Sequence, residues 1–310
     1  MCCITYQHAD FIGVALRSFV DQRTTFEFEV IVHDDASVDG TADTIRDFAE
    51  RYPGLIKPII QTENQYGKRP GYITRTVFEA ARGKYIALCD GDDHWIDPMK
   101  LQKQVDAMRA DPGAVGCFTD AWNDQEGKRT SYMDGVYAET PASVLRQREM
   151  VMGQNIPSCT ALFLRELITP LPGIFSRSPV GDTILYVHLT RKGHLLYLPE
   201  HTAVRVMHVG GKHSLKSAMH KLRTGIKVSQ LIDEMTEGKY RAELQQKITN
   251  MRLHGWQLAT GEQDTDAMRE WWKVVSADPK NGWGVVTKWR NYLKAWYPRT
   301  ERVLAGIVGR

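Results

Sequence analysis

The chain has little of what marks a secreted, membrane-spanning or nucleic-acid-coating protein. Its five cysteines (Cys2, Cys3, Cys89, Cys117, Cys159) show neither metal-ligand spacing nor a disulfide framework. Three of them lie in apolar, strand-like runs, where Cys behaves as a small hydrophobe, which suits a reducing compartment. No apolar stretch approaches the roughly 18 residues needed to cross a bilayer, and no signal peptide is visible. The expected location is therefore cytoplasmic, with peripheral attachment at the inner face of the cell membrane the one route to lipid. A net charge of +3 is too small to argue for a nucleic-acid partner. No internal repeat and no low-complexity segment occurs, which leaves an ordinary globular composition with 42% hydrophobic and 25% charged residues.

At 310 residues the chain can bury a substantial core, and one large domain with an appendage is expected. Charge is unevenly spread: the segment from Lys212 onward carries +8 and the remainder −5. The first hundred residues alternate in type. Strands are expected at Cys2 to Tyr6, Phe28 to Val32, Leu55 to Ile60 and Tyr85 to Cys89. Between them, helical spacing recurs through Phe11–Val20, Thr41–Arg51 and Ile73–Ala81, and Pro98 opens a further helix to about Asp111. Such alternation means βαβ units around a parallel sheet. From 113 to 210 the pattern is mixed, with strands expected at Val115–Thr119, Ala161–Leu164, Leu195–Leu198 and Ala203–Met207 and a helix at Asp182–Arg191. Beyond about 215 the chain reads as mostly helical.

Two acidic clusters carry most of the chemical information. His33-Asp34-Asp35-Ala36-Ser37-Val38-Asp39-Gly40-Thr41 follows one apolar strand, and Asp90-Gly91-Asp92-Asp93 follows another. In open α/β sheets, ligands bind outside such carboxyl ends. Gathered carboxylates repel one another unless a cation or hydrogen-bond donors stand between them. An Asp-x-Asp pair at a strand end suits a hard divalent ion that bridges phosphate oxygens. A plain Asp/Gly turn does not require three carboxylates in four residues.

The Asp34–Thr41 element resembles the nucleotide-binding element of the inverting family 2 glycosyltransferases. The resemblance extends to Ile4-Thr5-Tyr6-Gln7-His8, to Glu63-Asn64-Gln65, and to Gly83-Lys84-Tyr85-Ile86 leading into Asp90-Gly91-Asp92-Asp93. It covers about residues 2 to 210, and Trp95 followed by Asp97-Pro98 is similar to bacterial members that build surface polysaccharides. The resemblance implies a GT-A fold: a Rossmann-like, mainly parallel α/β sheet flanked by helices, with a helical C-terminal extension. Residues 1–212 would form the catalytic domain, with a nucleotide-binding part (1–112) and an acceptor-binding part (113–212), and 213–310 the helical region.

Carried over residue by residue, the resemblance gives Asp35, Asp34 and Thr5 to the nucleobase side, where a carboxylate can accept an imide N–H. It gives Asp90 and Asp92 to the sugar nucleotide, and Asp92, Asp93 and His208 to a Mg²⁺ or Mn²⁺ ion. His208 comes from Arg205-Val206-Met207-His208-Val209-Gly210-Gly211, which looks like the Arg- and His-bearing element after the last strands. Arg75, with Lys68 and Arg69, lies between the acidic clusters as a candidate diphosphate contact. Val180-Gly181-Asp182 resembles the catalytic-base motif, with Asp182 deprotonating the acceptor hydroxyl; Gly181 stands where the commonest form has Glu. The competing role for Asp182 is a helix N-cap.

The partners the resemblance implies are a nucleotide-sugar donor, expected to be UDP-linked, and a bacterial glycan or lipid-linked sugar acceptor. Two other readings compete: a catalytically degenerate sugar-nucleotide binder with a clipped first strand, and an Asp-dependent phosphotransferase. The latter usually carries its acidic motif on the first strand, which here ends in Thr5-Tyr6-Gln7. In the tail, Val285, Val286, Trp289, Tyr292, Leu293 and Trp296 recur at helical spacing among basic residues. Such a stripe, within 283–308, can lie in a membrane interface or pack on the catalytic domain or on a second copy in a homo-oligomer.

Overall fold

A computed structural model describes residues 1–136, 144–208, 216–278 and 281–296. The chain divides into two compact units, Met1–Ser214 and Leu215–Arg310. The first unit opens with β1 (Cys2–Thr5), α1 (Ala9–Val20), β2 (Val30–Asp34), α2 (Thr41–Arg51), β3 (Ile56–Ile60) and α3 (Tyr72–Ala80). It continues through β4 (Tyr85–Ala87), β5 (His94–Trp95), α4 (Lys100–Ala110), β6 (Ala114–Gln125) and β7 (Lys128–Ser131). Then come α5 (Tyr132–Val136), β8 (Val144–Leu145), α6 (Gln147–Met152), β9 (Leu162–Leu164), α7 (Gly181–Leu189) and β10 (His194–Val206).

Strand β2 is buried along its whole length, which is why Val30-Ile31-Val32 reads as a continuous apolar run rather than an alternating one. It lies between β1 and β3, parallel to both, and its register puts Thr5 opposite Asp34 and Asp34 opposite Ile60. On α1 the buried side chains Ile12, Ala15, Leu16 and Phe19 recur at three- and four-residue spacing and face the sheet, as do Ala42, Ile45 and Phe48 of α2.

The second set of strands is ordered β4-β9-β6-β10-β5 and is mixed: β6 and β10 run parallel, while β9 is antiparallel to both β4 and β6. A parallel bridge between Cys2 and Leu88, with the bonds Cys89 N–H to Cys2 O (3.3 Å) and Gly91 N–H to Ile4 O (2.9 Å), seats the chain leaving β4 beside β1. The parallel character expected of the sheet holds for β1–β3 and for the β6–β10 pair, and β5, β7, β8 and β9 add antiparallel neighbours. The two short strands expected at Leu195–Leu198 and Ala203–Met207 are one strand, β10. It stays paired with β6 through Pro199 and Glu200 because register shifts between Leu198 and Ala203 absorb the irregular residues.

The second unit is helical: α8 (Ala218–Met235), α9 (Arg241–Gly261), α10 (Thr265–Ser276) and α11 (Val285–Trp296). Its core gathers Trp256, Ala259, Met268, Trp271, Val275 and Ala295. Gly255 lets α9 approach α10, since a Cβ there would stand 2.6 Å from the Trp271 ring. Trp272 meets Tyr292 and Trp296 at centroid distances of 5.2 and 5.1 Å. The Tyr292 and Trp296 part of the tail stripe therefore packs within its own unit. Residues 297–308 of that stripe lie outside the described residues. Among the described residues, no helix is long and apolar enough to cross a membrane.

Candidate active site

The carboxyl ends of β1 and β2 and the segment after β4 converge because β1 sits between the other two. Asp35 N–H donates to Thr5 O (3.1 Å) on one side, and Gly91 N–H to Ile4 O on the other. Gly91 is required by that approach: a Cβ there would lie 2.5 Å from Thr5 Oγ1 and 2.6 Å from Thr5 Cβ. Thr5 is itself buried, and its hydroxyl has no hydrogen-bond partner among the described residues.

Asp34 and Asp35 stand at the strand end as expected, but both are buried and face inward. Asp34 accepts from the Ser37 N–H (3.0 Å) and hydroxyl (2.5 Å). Asp35 accepts from the N–H groups of Gln65 (2.8 Å) and Tyr66 (3.0 Å), and so pins the 63–66 loop over the strand end. Asp39 ties the starts of both helices together by accepting from Ala9 N–H and from the Thr41 N–H and hydroxyl. Burial works against its charge, yet those hydrogen bonds prevail and hold its carboxyl below the ordinary range. Gly40, in the left-handed region at φ 98°, stands at the N-cap of α2, so Asp39 acts from one residue further out.

Three side chains offer ligand atoms that lie within 4.8 Å of one another: His8, Asp92 and His208. Asp92 Oδ2 is 3.1 Å from His208 Nε2 and 3.7 Å from His8 Nε2. Ligands about 2.1 Å from a common ion stand roughly 3–3.5 Å apart, so the set is compatible with one centre. The fold makes the cluster from three distant segments. His8 follows β1 and precedes α1, Asp92 follows β4, and His208 follows β10, whose Val204 pairs with His94 just past the acidic segment.

Asp93 is placed differently from its expected role. It is buried and turned to β10, where its Oδ1 accepts from Val206 N–H at 3.0 Å. Burial, then the neighbouring charges of Asp92 and Asp90, push its carboxyl far above the usual range. His8 takes the third position in the cluster, a residue to which the sequence pattern assigned no role. A histidine directly after a first strand that faces an acidic segment was the only signal available.

Asp182 is exposed at the second helical position of α7, whose N-cap is Val180, and its Oδ1 accepts from the N3 N–H, that of Thr183, at 2.6 Å, so it satisfies one of the free donors of the helix start without standing at the cap itself. It borders a small cleft between α5, α6 and α7. Arg205 and Tyr132 stand between this cleft and the acidic segment. The Arg205 guanidinium lies 5.9 Å from the Tyr132 ring centre and its charge bears on Asp93. The Tyr132 phenol is pushed up to about 12 by burial, with Arg205 opposing and Asp182 adding to the rise. Of the cations between the acidic clusters, Lys68 pairs with Glu63 at 3.4 Å and Arg69 lies over Tyr72. Arg75, half-buried on the first turn of α3, has no ion-pair partner among the described residues.

A family model described as glycosyl transferase family 2 matches residues 2–169. The chain belongs to that family. An uncharacterised protein of Mycobacterium tuberculosis is 35% identical over 218 residues, covering 67% of this chain and 58% of the relative. The chain therefore spans less than two thirds of the length of its mycobacterial relatives. The Escherichia coli UDP-Glc:alpha-D-GlcNAc-diphosphoundecaprenol beta-1,3-glucosyltransferase WfaP is 30% identical over 106 residues, covering 34% of this chain and 39% of its own. Among solved structures, S. aureus TarS 1-349 in complex with UDP-GlcNAc superposes with a TM-score of 0.63 at 16% identity, covering 95% of this chain and 89% of TarS 1-349. The mannosyltransferase PcManGT from Pyrobaculum calidifontis, in complex with GDP-Man and Mn2+, gives 0.56 at 18% identity, covering 98% and 81%. The fold of this family 2 member is GT-A, a mixed α/β sheet with a helical C-terminal region.

Proposed function

We infer that the chain is an inverting, metal-dependent glycosyltransferase that moves a sugar from a UDP-sugar to a hydroxyl of a bacterial glycan or lipid-linked acceptor. The observation that carries this reading is the convergence, within one unit, of the His8–Asp92–His208 cluster with the Asp182 cleft, Arg205 and Tyr132 lying between them. The neighbour bound to UDP-GlcNAc and the relative that uses UDP-Glc support a uridine donor.

Thr5, Asp34 and Asp35 frame the nucleobase end. A carboxylate has about four lone-pair sites, so Asp35 keeps capacity for an imide N–H beyond its two backbone donors. Asp90 and Asp92 face the ribose and diphosphate, and Arg75 and Arg205 are the cations that answer its charge. Two imidazoles beside one carboxylate favour Mn²⁺ over Mg²⁺, which prefers an oxygen shell. The ion, when bound, offsets the charge that gathers on the departing nucleoside diphosphate. Asp182 takes the proton of the acceptor hydroxyl as that oxygen attacks the anomeric carbon from the face opposite the leaving group. A positioned base of this kind contributes about 10²–10⁴-fold.

Donor turnover is the test. With UDP-sugars and Mn²⁺, Asp182→Asn should lose transfer by about 10²-fold or more while UDP affinity stays unchanged. An unchanged rate would remove Asp182 as the base. Binding without turnover in the parent protein would favour a sugar-nucleotide-binding protein instead.

A further inference from the structure

The three side chains that can share an ion are set in place by the fold itself. His8 is fixed through its backbone. Its N–H donates to Thr41 Oγ1 (2.9 Å), and its carbonyl accepts from the Phe11 and Ile12 N–H groups that open α1 (2.9 and 2.8 Å). Gln7, just before it, is turned into the left-handed region at φ 57°. It is held there by its N–H on Ser37 Oγ (2.8 Å) and by its Oε1, which accepts from Val38 N–H (3.2 Å). A non-glycine residue keeps such a backbone only where its surroundings over-determine it, and such places cluster at ligand sites. Asp92 is clamped from both sides, by Gly91 N–H on Ile4 O and by Asp93 Oδ1 on Val206 N–H.

His208 is held by side chains instead. It follows the end of β10, where Met207 N–H still bonds to Asp124 O (2.8 Å). Among the described residues, Asp92 is the one hydrogen-bond partner of its ring, Oδ2 to Nε2 at 3.1 Å. The Phe11 ring lies against it at a centroid distance of 4.7 Å, with the planes 35° apart, and meets His8 edge-on at 6.3 Å. Aromatic pairs at such separations attract beyond their buried area. One phenyl ring thus braces both imidazoles where they converge with the carboxylate to within 4.8 Å. The side chains of His8, Asp92 and His208 remain 18%, 23% and 20% exposed, so an ion can reach them from solvent.

We propose that His8, Asp92 and His208 form a preformed site that takes up a divalent transition-metal ion without any nucleotide, and that Phe11 is the positioning residue that keeps both imidazoles in ligating arrangement. The proposal rests on the transferase reading above, which supplies the second ligand, a nucleoside diphosphate that adds to an ion already in place. Three protein ligands, two of them nitrogen, can hold such an ion unaided, whereas a hard ion on one or two carboxylates relies on substrate phosphates. Ligands that are already fixed lose little freedom on binding, which lowers the cost of taking up the ion. The order of events is therefore ion first and nucleotide second.

The test is electron paramagnetic resonance of Mn²⁺ titrated into the full chain, first without nucleotide and then with UDP. Free Mn²⁺ gives a sharp multi-line signal that fades as the ion is bound. A single ion is expected to bind without UDP, its spin-echo signal modulated by the nitrogens of the two imidazoles, and UDP should tighten it. His8→Ala should weaken the nucleotide-free binding about tenfold or more and reduce the nitrogen modulation. Phe11→Leu keeps apolar volume but removes the ring, and should weaken the binding about tenfold; Phe11→Tyr should restore it to within about twofold. Readings are taken well below each variant's melting temperature, so a loss of stability alone leaves the affinity unchanged. Mn²⁺ binding that appears only with UDP overturns the preformed site and leaves the transferase reading standing. Binding without nitrogen modulation, or indifferent to His8→Ala, overturns the ligand set. Parent affinity in Phe11→Leu overturns the positioning role. If Mn²⁺ binds neither with nor without UDP, the metal-dependent reading fails and the proposal with it.

Discussion

Replacing Gly91 by Ala tests whether the acidic segment is held against β1 as described. The added methyl carbon would sit 2.5 Å from Thr5 Oγ1, 2.6 Å from Thr5 Cβ and 3.0 Å from Ile12 Cδ1. Carbon atoms rest comfortably at about 3.5–4.0 Å, so the two chains must part by about 1 Å. Neither neighbour can yield easily, since Thr5 and Ile12 are both buried. Overpacking of this kind costs about 1–3 kcal/mol. The larger consequence concerns function. Asp92 lies one residue on, and metal–ligand distances tolerate only about ±0.2 Å. A displacement near 1 Å carries Asp92 away from His8 and His208, so Mn²⁺-dependent UDP affinity should fall at least about tenfold and turnover about 10²-fold. Titration calorimetry with UDP, with and without Mn²⁺, reads the first quantity, and a thermal melt reads the stability loss. Thr5→Gly in the same background deletes both clashing atoms and should recover part of the affinity. Wild-type affinity together with a wild-type melting temperature in Gly91→Ala would refute the packing of this segment on β1.

Three further outcomes follow from the same geometry. His8→Ala should weaken Mn²⁺-dependent UDP binding about tenfold or more, whereas Asp93→Asn, which keeps an oxygen for the Val206 N–H, should leave it within about threefold; the reverse order would return Asp93 to the metal. Lys100 is buried against Trp95, bonded to Gln104 Oε1 and Thr160 O, and burial lowers it from an ordinary 10.5 to about 8. Between those values the unfolded chain holds a proton that the folded chain lacks, so Lys100 makes stability rise with pH there. The stability of the parent relative to Lys100→Met should therefore rise by about 3 kcal/mol from below pH 8 to pH 10.5, read by denaturant melts; a pH-independent difference would contradict the buried amine. Gly255→Ala drives a methyl to 2.6 Å from the Trp271 ring and should destabilise the helical unit by about 1–3 kcal/mol, visible in its tryptophan fluorescence melt.

Local pattern carried much of the first unit. The expected Thr41–Arg51 helix matches α2, because Ala42, Ile45 and Phe48 repeat at the spacing that buries one face. The β2 run betrayed itself by having no polar alternation, the mark of a strand covered on both sides. Two things escaped. The long strand β10 looked like two because Pro199 and Glu200 interrupt its apolar pattern; only the length of β6 beside it keeps the pairing going. The inward turn of Asp34 and Asp35 was also hidden, since a carboxylate that fastens a loop and one that meets a ligand have the same letter and the same neighbours.

What the sequence by itself determined is the kind of chemistry: carboxylates placed directly after buried strands, in an order that marks a family 2 glycosyltransferase. That information is local, because the periodicity of a strand and the residue that follows it lie within a few positions of each other. Which side chains meet was decided by tertiary structure. His8, Asp92 and His208 are separated by more than eighty residues at each step, and they share a centre because β1 lies beside the chain leaving β4 and β10 returns past His94. The cleft joining Asp182, Gln154 and Tyr186 arises in the same way, from where α7 comes to rest beside the end of α6. Strand order and packing are properties of the whole buried core, and no short window of sequence contains them.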